Sequence, residues 1–148
     1  MRTMADPATR QELLDRLSRL RPDAQRRFGT MTPATMVTHL TDQMTHTLGD
    51  VATTPVYGLL RLAPVRWLSI YVVPWPKGRV KGPREAFVTQ PTTWEADIAR
   101  LRGLVERFGA SDLSKPFPPH ILFGRMSGKD WGFFCYKHFN HHFEQFGV

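Results

Sequence analysis

The chain has 148 residues, of which 41% are hydrophobic and 22% charged, enough for one domain over residues 1–148 with a continuous core, and it carries no repeat or long polar tract of the kind that marks a solenoid or a disordered protein. A single cysteine, Cys135, excludes an intramolecular disulfide and fits a reducing cytoplasm. Lys and Arg outnumber Asp and Glu by 20 to 13, for a net charge of +7, yet the basic residues are scattered and no recognition-helix or aromatic-platform motif accompanies them, so nucleic acid is not an expected partner.

The opening MRTMADPATRQELL lacks the apolar core of a signal peptide, so a cytoplasmic location is expected. Leu13, Leu14, Leu17 and Leu20 fall on one stripe at helical spacing and predict a first helix over residues 7 to 20. Arg10, Arg16 and Arg19 on that helix are expected on a solvated basic surface. A second helix starts at Thr32, which suits the cap, with Pro33 in the first position; it carries Met36, Val37, Leu40, Met44 and Leu48 towards a core and stops at Gly49.

More than forty residues follow before the next helix, rich in proline after position 54. Their most apolar part is VYGLLRLAPVRWLSIYVVPW, residues 56 to 75. Arg61, Pro64 and Arg66 interrupt it, so a membrane span is not expected; a buried or surface-packed helical hairpin is, with an interfacial membrane patch as the alternative. YVV at 71 to 73 is the only strand-like fragment. The next segment carries Lys77, Arg79, Lys81 and Arg84, and this loop is where an acidic ligand would sit. A connection this long either packs around one end of the fold or serves as a lid, and it allows a crossover, so that the helices it joins run parallel.

A third helix is predicted from residues 93 to 108, burying Trp94, Ile98, Leu101, Leu104, Val105 and Phe108, with Glu95 and Asp97 at its positive end and a stop at Gly109. The fourth begins at Ser127, whose spacing to Asp130 matches a capping box, and runs through Trp131, Phe134, Cys135, His138 and Phe139 towards Gly147. The fold class is therefore all-α.

Half of the six histidines lie in the closing HFNHHFEQFGV. His138 and His142 are four apart, share a helical face, and can bind one metal as paired imidazoles. Two ligands make a weak site, and His39, beside the apolar face of the second helix, is the third candidate. Three histidines would leave a position open for water or substrate. Histidines satisfied inside a core are the simpler alternative. His141 points away from His142 towards the surface; His46 is two turns from His39; His120 is placed to reach the mouth of the bundle. Cys135 extends the His138 and His142 stripe, though a small buried thiol is the commoner use of such a position. Asp42, one turn beyond His39, is either its hydrogen-bond partner or an exposed helical carboxylate.

The segments RRFGTMTPATMVTHLTDQMTHTLGD and HILFGRMSGKDWGFFCYKHFNHHFEQFGV resemble the DinB-like superfamily of four-helix metal-binding proteins, in a bacterial branch of unknown function. The resemblance rests on the FG-x-M-T-P start of the second helix with a histidine behind it, and on the late FG, W, KH-xx-HH-xx-QFG run. It implies a four-helix bundle in up-down-down-up order with the long crossover between helices two and three, often a homodimer. It also implies a divalent metal, zinc or nickel, on His39, His138 and His142. Better understood members are transferases or isomerases that use low-molecular-weight thiols, so the implied function is a thiol-dependent transferase acting on a small electrophilic molecule, with a hydrolytic use of the metal as a variant. The alternative is a non-catalytic small-ligand-binding or dimeric module of the same fold that no longer needs metal. Phe28 stands where tryptophan is frequent in that branch, and Ile121 where proline often follows the histidine. No residue is assigned a catalytic role.

Overall fold

A computed structural model describes residues 1–78 and 87–148. Among them five α-helices form: α1 (Pro7–Arg19), α2 (Pro33–Leu48), the short α3 (Ala63–Trp67), α4 (Trp94–Gly109) and α5 (Gly128–Phe146). The third and fourth predicted helices are thus α4 and α5. A 3-10 turn (Leu59–Arg61) precedes α3 and a π turn (Leu68–Val72) follows it. The described residues contain no strand, only an isolated bridge between His120 and Gly124. No described helix is long and apolar enough to cross a membrane.

The helix ends have local causes. Asp6 accepts the Thr9 N–H at 2.7 Å and starts α1. Thr32 and Thr35 form a reciprocal capping box on α2, and Ser127 and Asp130 form one on α5. Gly49 and Gly147 end these two helices at φ 81° and 75°, a left-handed conformation that a Cβ would strain. α4 carries Glu95 and Asp97 in its first turn, as expected, but differs from expectation at its C-terminal end. Its cap residue Thr93 makes no side-chain bond, and Asp97 holds the Thr92 N–H and hydroxyl at 2.8 and 2.7 Å. Gly109 lies inside the helix, where a Cβ would meet the Arg10 guanidinium.

α2 packs on α4 and α5, and α1 packs on the same two helices. Their apolar stripes meet in one core that includes Leu13, Leu17, Met36, Leu40, Met44, Leu101, Val105, Phe108, Trp131, Phe139 and Phe143. Each such side chain contributes roughly 1.5–3 kcal/mol of burial free energy. Arg16 departs from the expected solvated surface: it is buried, donating to Asn140 Oδ1 at 2.8 Å and to the Val148 carbonyl at 2.9 Å.

The connection between α2 and α4 is not a helical hairpin. Its 3-10 turn, α3 and π turn run consecutively, with Leu62 ending the first and capping the second. Of residues 56 to 75 only Ile70 is buried, whereas Tyr57, Leu59 and Trp67 are 82%, 74% and 55% exposed. Proline and the short run of residues leave too few positions to form two packed faces. The segment is anchored to α5 from one end: Lys137 Nζ donates to the Ser69, Ile70 and Val73 carbonyls at 2.8, 3.3 and 2.6 Å, and the Tyr71 hydroxyl bonds Asp130. Lys137 therefore satisfies carbonyls that the end of a helical segment leaves open.

Candidate metal centre

α2 and α5 bring three buried imidazoles to one point. His138 Nε2 lies 3.0 Å from His39 Nε2 and 3.1 Å from His142 Nε2. All three residues are less than a tenth exposed, and their ligand atoms lie within 4.8 Å of one another, close enough to hold one metal ion. Three nitrogens bound tetrahedrally at about 2.0–2.1 Å would sit roughly 3.3 Å apart, close to the two separations from His138.

The protonation pattern also fits a cation. His142 Nδ1 faces Gln145 Oε1 at 3.0 Å, while Gln145 Nε2 donates to the Phe28 carbonyl at 2.8 Å, which fixes the amide with its oxygen towards the ring. An amide oxygen only accepts, so His142 carries its proton on Nδ1 and turns the Nε2 lone pair inward. His138 Nε2 faces two imidazole nitrogens, and one proton placed there could serve only one of them. A divalent cation would engage all three. Burial holds His142 down to about 3, with His39 adding to the effect, and holds His138 well below the ordinary histidine range. His138 and His142 are therefore neutral at physiological pH, the form a metal requires.

The other candidates take different places. Cys135 is buried one turn before His138, but its sulfur accepts from Gln43 Nε2 at 3.4 Å, and burial pushes the thiol up to about 12. It stands apart from the triad as a small core residue. Asp42 is neither exposed nor bonded to His39. It is buried and accepts the Val88 and Thr89 N–H groups at 2.8 and 3.0 Å and the Thr89 hydroxyl, so it ties the connection down onto α2. This places Phe87 flat against the His39 ring, 4.7 Å between centroids. His141 is half-buried, edge-on to Phe28 at 5.2 Å. Arg79, Lys81 and Arg84, in the loop expected to receive an acidic ligand, lie outside the described residues.

The triad opens on a cavity of about 320 Å³, which His46 and His120 also line. Its walls are mainly aromatic and aliphatic, with Trp75 and Phe134 each 5.5 Å from the His138 ring. Among the described residues no Asp, Glu, Lys or Arg lines it. Gln145, Trp75 and Phe87 were not singled out from the sequence; only the i, i+3 relation of His142 and Gln145 on one helix face would have flagged the first.

A family model described as a protein of unknown function (DUF1569) matches residues 8–147. No curated protein and no solved structure matches the chain.

Proposed function

The chain belongs to the DUF1569 family of proteins of unknown function, and from that premise we propose that it binds a divalent metal, zinc or nickel, through His39, His138 and His142, and transfers a low-molecular-weight thiol onto a small electrophilic molecule. The observation that carries the metal is the convergence of three buried imidazole Nε2 atoms. The thiol chemistry and the up-down-down-up bundle come from the resemblance of the two motif segments to DinB-like proteins.

His39, His138 and His142 would hold the cation, which would supply a Lewis acid that favours the thiolate form of an incoming thiol. The chain's own residues do the rest. Gln145 keeps the His142 lone pair directed inward. Phe87 and Trp75 cover the histidines and limit the access of water to them. The apolar walls receive the electrophile by shape, since no charged side chain among the described residues lines the cavity. In the transfer the thiol releases its proton to solvent, a C–S bond forms as the bond to the leaving group breaks, and the leaving group takes the electron pair.

Elemental analysis of untagged protein tests the metal. Close to one zinc or nickel per chain is expected, lost in His142→Ala. Wild-type protein that stays empty after incubation with both ions would sink the proposal. Thiol consumption with 1-chloro-2,4-dinitrobenzene, measured with and without chelator, tests the transfer: a rate indifferent to chelator and to His142→Ala counts against it.

A further inference from the structure

His120 sits at a chain reversal before α5. Its N–H donates to the Gly124 carbonyl at 2.8 Å, and the Gly124 N–H donates back at 2.9 Å. Inside the turn the ring nitrogen Nδ1 accepts two backbone N–H groups, from Leu122 at 3.0 Å and Phe123 at 3.2 Å. A nitrogen that accepts twice carries no proton, so the neutral ring must bear its hydrogen on Nε2. The ring is neutral because burial, with His46 and Arg61 nearby, lowers it to about 3.

The ring lines the cavity, and Nε2 makes no hydrogen bond within the described residues, nor is it among the buried unpartnered atoms. Phe134 stands between this donor and the triad, its centroid 4.6 Å from the His120 ring and 5.5 Å from the His138 ring. The N–H is open to the cavity, so a ligand that displaces water from it must offer an acceptor or leave the donor unpaired. The volume, about 320 Å³, lies at the small end of ligand pockets, and among the described residues the lining offers no counter-charge.

We propose that the His120 Nε2–H fixes the carbonyl oxygen of a small, uncharged, largely apolar ligand, whose body lies over Phe134 between His120 and the histidine triad. This deepens the functional reading by naming the substrate class of the same cavity, and it rests on that reading for what the triad then does. The backbone of the turn, by holding Nδ1 as an acceptor, sets the donor before the ligand arrives.

The test compares 4-fluoroacetophenone with 4-fluoroethylbenzene, which has a similar shape but no acceptor, by fluorine NMR titration of the full chain after chelation and again with zinc. His120→Asn is the chosen variant: its amide oxygen can still accept from the turn, but its amide nitrogen does not reach as far as Nε2. The preference for the ketone is expected to fall about fivefold to tenfold in the variant, the range of one hydrogen bond. In the metal-free protein 4-fluorobenzoate is expected to bind more weakly than the ketone. Equal losses for both neutral probes, tighter binding of the benzoate, or binding of neither neutral probe would overturn the proposal. A measurement on the wild type needs no variant: long-range proton–nitrogen NMR is expected to show His120 protonated on Nε2 and shifted by the ketone. A proton on Nδ1 refutes it. A ketone preference that persists in a chain unable to take up zinc fails the metal reading alone; zinc uptake with a preference that ignores His120 fails this one alone.

Discussion

Gln145 shows how much a single side chain decides at the candidate centre. Its amide is held at both ends, by the Phe28 carbonyl and by His142 Nδ1, and that orientation determines which nitrogen of His142 faces inward. Gln145→Leu removes the acceptor and frees the ring to protonate on the inner nitrogen. Zinc affinity, read by competition with a chromophoric chelator, is expected to fall about 10–100-fold, as for other partners that orient metal ligands. Gln145→Glu keeps an acceptor for Nδ1–H and is expected to lose less. Equal affinity in wild type and Gln145→Leu would show that the amide does not orient the ring. The four-residue spacing of His138 and His142 was enough to put them on one face, and His39 could be picked out beside the apolar stripe of α2. What spacing does not carry is which ring nitrogen points inward, because that depends on a residue from the next turn and on a carbonyl 117 positions away. Cys135 shows the same limit: it shares the stripe, but Gln43 from another helix engages its sulfur.

At the scale of elements, α2 and α5 were legible because their ends carry local chemistry, Thr32 with Pro33, Ser127 with Asp130, Gly49 and Gly147, and α1 and α4 because of their apolar stripes. The connection was not, since its form depends on contacts far away in the chain. Apolar residues in the 56 to 75 segment suggested burial, yet only Ile70 is buried, and its anchor is Lys137 on α5. α2 misleads in the opposite direction. Its periodicity implies a polar outer face, but Thr38, His39, Asp42 and Gln43 are all buried. Part of that burial comes from the chain tied down by Asp42. Asp42→Ala leaves the Val88 and Thr89 amides without their carboxylate, and the expected cost is about 1–3 kcal/mol in urea unfolding. Hydrogen exchange at those two amides is expected to accelerate while the amides of α4 stay protected. Unchanged exchange at both would mean that the carboxylate does not hold the connection.

For the molecule as a whole, the histidines whose values folding lowers couple stability to pH. His120 has an ordinary value of 6.5 when unfolded and about 3 when folded, so between these limits the unfolded chain takes up a proton that the folded chain refuses. The stabilisation is fully present above pH 6.5 and is lost progressively as pH falls towards 3; His138 and His142 act in the same direction. Zinc at a hundred times its dissociation constant would add about 2.7 kcal/mol at neutral pH. That gain is expected to shrink on acidification, because protons compete for the same imidazoles. His120 separates the two effects, since it lies outside the triad. Between pH 6.5 and 5, above the range of most carboxylates, metal-free wild type is expected to lose stability more steeply than metal-free His120→Asn. The difference approaches one proton, or about 1.4 kcal/mol per pH unit. Urea unfolding at several pH values measures both slopes. Parallel slopes would mean that His120 accepts its proton in the folded protein, and then the turn does not hold Nδ1 as an acceptor and the ring's donor is not fixed at Nε2.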